Sequence, residues 1–449
     1  MNFKKAAIAV PLSLSLLLPV AANSALAHET TIPTASDSAV DLRATLDKLL
    51  SEHVYLAVET MRKGVDGSKD FEQSAAALQG NTEDLSTAIA SVYGEEAGMK
   101  FKDMWSAHIG FFVDYVKGTA SKNEAAKKAA LDELAQYKQD FSNFLSTATE
   151  KRLEADALAE GLQMHVDQLV GAFNAYVQGD YEKAYEYERE AIHHMYMVSK
   201  GLSNAIVMQF PDKFEKHKAV TPAADLRSDL NYLLSEHAGL AVTAMQNGID
   251  GSKDFEASAA ALSANTDDLS AAIASVYGDE AGEQFKQMWA AHIGNFVDYV
   301  KATGSNDEEG KKAALDALKQ YKESFSKFLE TATDGRLPAN ALAEGLQMHV
   351  EQLITAFDTY TAGDYASTYP TVREAYGHMF ETSKGLSGAI VDQFPDKFVA
   401  EMPTEMPKTG LGGTANQGLQ LEAVMVSIVL ALIAAGFVTM RRLAVKKLT

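Results

Sequence analysis

The chain has 449 residues, of which 47% are hydrophobic, and 61 acidic against 40 basic side chains give a formal net charge of −21. It has no cysteine, which excludes disulfides, thiolate metal sites and cysteine nucleophiles. The acidic balance argues against nucleic acid as a partner, because phosphate binding needs a basic footprint.

Lys4 and Lys5 precede an apolar run from Ala6 to Val20, and Ala25-Leu26-Ala27 follows with small residues at the −3 and −1 positions. This reads as a secretory signal peptide over 1–27, cut before His28. Residues 28–40 are short, polar and Pro-containing, the composition of a disordered lead-in.

Residues 41–214 then recur as 225–398, without insertion or deletion and with about two-thirds of the positions identical, joined by a linker at 215–224 that carries Pro222. A period this long means two copies of one domain, not a solenoid of stacked ~20–50-residue units. Within each copy the apolar spacing is helical almost throughout, and no alternating strand signal is visible. Leu42, Leu46, Leu49, Leu50, His53, Leu56, Ala57 and Met61 mark the inner face of a first helix ending near Gly64. Asp66 to Asp70 reads as a helix-start segment with Ser68 or Asp70 as N-cap. Asn81-Thr82-Glu83-Asp84 restarts a helix that Gly94 closes. Further helices are expected over about 95–117, 124–148, 153–177 and 181–209, the last stopping before Pro211. The fold class is all-α: two tandem multi-helix bundles, each of four to six helices.

One feature of the pattern is chemical. His53, His108, His165 and His194 each sit near the middle of an apolar helical face, and each recurs 184 positions later as His237, His292, His349 and His378. A buried imidazole without a partner costs roughly 1–3 kcal/mol, so idle histidines in a core are costly. If the four helices pack as antiparallel neighbours, the imidazoles converge on one layer, where a metal ion or haem iron takes up their lone pairs. Met104 lies four residues before His108, and Met288 four before His292, which adds candidate thioether ligands on the same face. Imidazole with thioether suits copper best, with zinc as the second choice. Glu190 and Glu374, four residues before His194 and His378, are candidate acceptors for the outer ring nitrogens. Haem b held by histidine pairs is the alternative cofactor. A surface adhesion module with structural histidines is the alternative without one. No Ser/His/Asp constellation, phosphate-cradling loop or Glu-x-x-His pair accompanies the histidines, so the reading leans away from an enzyme.

The C-terminal part follows a different logic. A spacer, 399–422, contains Met406-Pro407-Lys408-Thr409-Gly410, and an apolar run over 423–440 precedes a basic tail, 441–449, with Arg441, Arg442, Lys446 and Lys447. The run is long enough to cross a bilayer, and the basic tail holds it on the cytoplasmic side. Pentapeptide, apolar span and basic tail in this order resemble the cell-wall sorting signal of Gram-positive surface proteins, with Met406 where the usual motif has Leu. The resemblance implies a sortase as processing partner, cleavage between Thr409 and Gly410, and attachment of Thr409 to peptidoglycan. It places the repeats outside the cell, with membrane contact only through the span before sorting. Together these observations give an expected function: a wall-anchored metal-binding protein that sequesters or buffers ions.

Overall fold

The computed structural model of the protein describes residues 32–399. The signal peptide, the sorting motif at 406–410, the apolar run and the basic tail lie outside the described residues. Among the described residues there are twelve α-helices and no strands, and no helix is long and apolar enough to cross a membrane.

The first copy forms α1 (Ser38–Asp66), α2 (Phe71–Tyr93), α3 (Glu95–Ala120), α4 (Glu124–Ala148), α5 (Ala155–Gln178) and α6 (Tyr181–Gln209). The second repeats them as α7 (Pro222–Asp250), α8 (Phe255–Tyr277), α9 (Asp279–Gly304), α10 (Glu308–Ala332), α11 (Ala339–Thr361) and α12 (Tyr365–Gln393). The boundaries have local causes. Asp37 caps α1 by accepting from the backbone N–H groups of Ala39 and Val40, each at 2.9 Å. Gly67, at φ 64°, closes α1 with its N–H on the Lys63 carbonyl.

Each helix packs against its neighbours in sequence, and α6 returns to pack on α1, so the six form a closed ring; α1 also reaches inward to touch α3 and α5. The second copy closes in the same way, with α7 touching α9 and α11. Short connections make successive helices antiparallel, so α1, α3 and α5 run in one direction.

The two copies are not separate beads. α1 packs on α7, α6 on α8 and α12 on α2, and one apolar core draws residues from both copies. The contacts are reciprocal, as across the two-fold axis of a dimer. Arg373 clamps Glu52 through two bonds of 3.0 and 2.9 Å and also reaches Asp84 at 2.7 Å. Arg189 does the same to Glu236 and Asp268. Where the copies have diverged, the divergence is complementary: a Cβ on Gly239 would stand 3.1 Å from the ring of Tyr55, the residue at the equivalent position of the first copy.

Three expectations from sequence are corrected here. The described part of the lead-in is held in place, because Ala35 is buried and its carbonyl accepts from Arg227 at 3.0 Å; residues 38–40 already belong to α1. The linker makes the equivalent contact, Ala219 O with Arg43 at 3.3 Å, and α7 starts inside it at Pro222. The repeat unit therefore begins at Ala35 and Ala219, before the apolar periodicity starts. Finally, α2 runs unbroken through Asn81 and Thr82, both buried. Asn81 does not cap a helix; its amide donates to the Leu49 carbonyl at 2.9 Å and to Glu52 at 2.8 Å. Asp70 does occupy the N-cap position of α2, but its carboxylate makes no cap bond and instead holds Lys63 at 2.6 Å and the Tyr369 hydroxyl of the second copy at 2.7 Å.

Candidate metal centre

Three of the four repeated histidines come together. His53 on α1, His108 on α3 and His165 on α5 are all at least 95% buried, and each offers a ring nitrogen within 4.8 Å of the other two. They lie near the midpoints of α1, α3 and α5, and α1 packs on both of the others inside the ring, so the three rings meet at one level. Ring centroids stand 5.3 Å apart for His53–His108, 5.9 Å for His53–His165 and 6.5 Å for His108–His165. In the second copy His237, His292 and His349 form the same triangle, with centroid separations of 5.3, 5.9 and 6.4 Å.

The nitrogens in this triangle are unsatisfied. Both ring nitrogens of His53 and His165, and Nδ1 of His108, have no hydrogen-bond partner; His237, His349 and His292 repeat the pattern. Native interiors rarely leave buried polar groups this way, and a cluster of them calls for an ion, a ligand or water. Protonation is no escape. Burial pushes His108 and His165 down to about 3, and for His165 the neighbouring His108 and His194 add to it. Burial, then His108 and His165, holds His53 well below the ordinary imidazole range. In the second copy His292 is pushed down to about 4 and His349 to about 3. At neutral pH all of these rings are neutral and present free lone pairs, the form a metal ion requires.

Aromatic rings wall the triangle. Trp105 lies 4.7 Å from both His53 and His108, and Tyr137 of α4 stacks on His108 at 4.9 Å. The Trp105 Nε1 and the Tyr137 hydroxyl are themselves buried and unpartnered, as are their counterparts on Trp289 and Tyr321. Beside the triangle, between α3, α4, α5 and α6, lies an apolar cavity of about 280 Å³ that reaches His108, His165 and His194. An equal cavity of about 280 Å³ adjoins His349 and His378 in the second copy.

His194 and His378 do not join the triangle. His194 turns its Nε2 to the carbonyl of Gly161 at 3.0 Å, and His378 does the same to Gly345. A Cβ on Gly161 would lie 3.9 Å from that nitrogen, so the missing side chain makes room for the imidazole. The four-histidine layer is therefore a triad with a fourth histidine on the cavity wall. Glu190 and Glu374 are exposed and hold no imidazole. Helical spacing put them on the correct side of α6, but one turn of offset carried them to the rim. Met104 and Met288 are only half-buried at the edge of the core, outside both cavity linings. Met195 and Met379, each 3–4% exposed, are the thioethers that line the cavities.

Sequence reasoning missed Trp105 and Tyr137 as site residues. A signal existed: the chain's two tryptophans are Trp105 and Trp289, each three residues before a triad histidine. Glu52, directly before His53 on α1, is held by the other copy through Arg373.

No protein-family model matches this chain, and neither does any curated protein or solved structure. The site must therefore be read from its own chemistry.

Proposed function

We propose that each copy holds one transition-metal ion on its three buried imidazoles, and that the chain buffers or sequesters that ion outside the cell, attached to the wall through Thr409. The observation that carries this reading is the set of unpartnered nitrogens on three neutral rings within 4.8 Å of one another. Nitrogen ligands around a zinc ion lie 2.0–2.1 Å from the metal and so about 3.3 Å from one another. Closing the triangle by about an ångström is within the reach of side-chain rotation.

Charge favours copper(I) over zinc. No carboxylate is among the influences on the three rings of the first copy, so a bound ion keeps its charge uncompensated. The cost of burying a charge grows steeply with its size, and a monovalent ion suffers least. Copper(I) also accepts three-coordinate nitrogen and the nearby thioethers of Met195 and Met379. Trp105, against two of the ligand rings, adds attraction between a cation and its π face.

Haem is less well supported. Axial ligation needs a flat slot between two histidines, whereas here Trp105 and Tyr137 pack against the rings and His194 takes the space over Gly161. The test is metal analysis of protein loaded with copper(I) or zinc and desalted. Two tightly held ions per chain are expected, one after His165→Leu or His349→Leu, and none after both. Fewer than one ion per chain in the wild type, or a content indifferent to these substitutions, overturns the proposal.

A further inference from the structure

The triad explains the imidazole nitrogens but not the cavity beside them. A metal site alone needs no 280 Å³ of empty apolar space, and two copies that differ at about a third of their positions both keep it. Most positions on the wall are apolar in both copies: Phe101, Leu153 and Leu162 in the first, Phe285, Leu337 and Leu346 in the second. The exposed residues Glu154, Ala157 and Met197 frame the mouth of the first cavity. Inside, the rings of Trp105, Tyr137 and Phe141 add apolar surface to the lining, while the Trp105 Nε1–H and the Tyr137 hydroxyl are buried away from the open space.

We infer that each cavity is a binding site for an uncharged, compact apolar molecule. Size follows from volume: an apolar cavity of about 150 Å³ takes benzene, so 280 Å³ takes roughly ten to twelve non-hydrogen atoms. The apolar body answers the wall. A charged head finds no partner inside, since no cationic side chain lines either cavity and the one carboxylate of each lining, Glu154 or Glu381, is exposed. The inference does not require a metal on the triad, because the wall that selects the molecule is apolar.

The molecule carries its own reporters, since its two tryptophans, Trp105 and Trp289, each line one cavity. Camphor, with ten carbons and one ketone, is the probe, and camphor-10-sulfonate is its charged control. Chelator-treated full-length protein is titrated by calorimetry and tryptophan emission. Two sites per chain with Kd below about 1 mM are expected for camphor, and at least tenfold weaker binding for the sulfonate. Gly201 and Gly385 sit in helices at the mouths, where an added Cβ meets only Leu153 or Leu337 at 4.0 and 3.9 Å. Gly201→Phe plugs the first cavity at a position where any side chain favours the helix over glycine, so the variant folds. It should leave one site, and adding Gly385→Phe should leave none, while Gly201→Ala keeps both. Absence of saturable binding, binding indifferent to both plugs, or equal binding of the sulfonate overturns the inference. Metal analysis is independent of this titration, so failure of the metal proposal and failure of this one are distinguishable.

Discussion

Lowering the pH from 7.5 to 5 should strip the metal-free protein of most of its stability. Each triad imidazole is neutral when folded and free to protonate when unfolded, so the unfolded chain binds more protons and stability falls with pH. His108, His165, His292 and His349 stay neutral in the fold down to about 3 or 4. With an ordinary unfolded value near 6.5, each contributes a loss of about 2 kcal/mol at pH 5, or about 8 kcal/mol for the four. This figure depends on the unfolded value alone, provided the folded one lies below about 4. His53 and His237 push in the same direction.

Buried carboxyls oppose them. Glu188 is raised to about 7 by burial, so it gains a proton in the folded state first and returns about 2 kcal/mol over the same range. Asp47 and Glu236 are raised by burial as well and act in the same sense. The histidines prevail by number, and the net loss is comparable to the whole stability of an ordinary domain, about 5–15 kcal/mol. Urea denaturation followed by far-UV circular dichroism at pH 7.5, 6.5 and 5.5 measures it: the midpoint should fall at each step with little change in slope. A midpoint that holds or rises between 7.5 and 5.5 would refute the picture of buried neutral imidazoles.

Other outcomes follow from the same geometry. Replacing His53, His108 and His165 together by Leu should raise the melting temperature of the metal-free protein, because each unpartnered buried group costs about 1–3 kcal/mol; a lower melting point means that the rings are hydrogen-bonded in solution. Glu188→Gln should add about 3 kcal/mol at pH 8, where wild-type Glu188 is forced to ionise in the interior, and change little at pH 4.5; equal effects at both pH values would show that its ionisation is not suppressed. Arg373→Met should cost about 3 kcal/mol in urea denaturation, since it strands the buried Glu52 carboxylate, and Glu52→Gln in the same chain should recover much of that; an additive second loss would deny the pairing.

How far the chain could be read differs from element to element. The run Leu49-Leu50-Ser51-Glu52-His53 has helical spacing that any reader can follow, and Gly94 and Gly179 mark real helix ends. The same run hides its partners. Glu52 answers Arg373, 321 residues away, and nothing in the spacing of either residue announces the other. Asn81-Thr82 reads locally as a helix start, yet the pair is buried inside a continuous helix because Glu52 and the Leu49 carbonyl need the Asn81 amide. Local rules gave the wrong answer where a distant polar group had to be satisfied.

By itself the sequence determined the helices, the duplication and the placement of four histidines per copy on apolar faces, because periodicity and capping act between residues a few positions apart. Only the tertiary structure decided which histidines meet. Closing six helices into a ring in which α1 also packs on α3 and α5 brings the middles of those three together, so three imidazoles converge, while His194 on α6 turns to the Gly161 carbonyl instead. The cavity and the reciprocal Arg–Glu clamps have the same origin: they exist between elements, and the free energy that places them is that of packing and of buried groups finding partners.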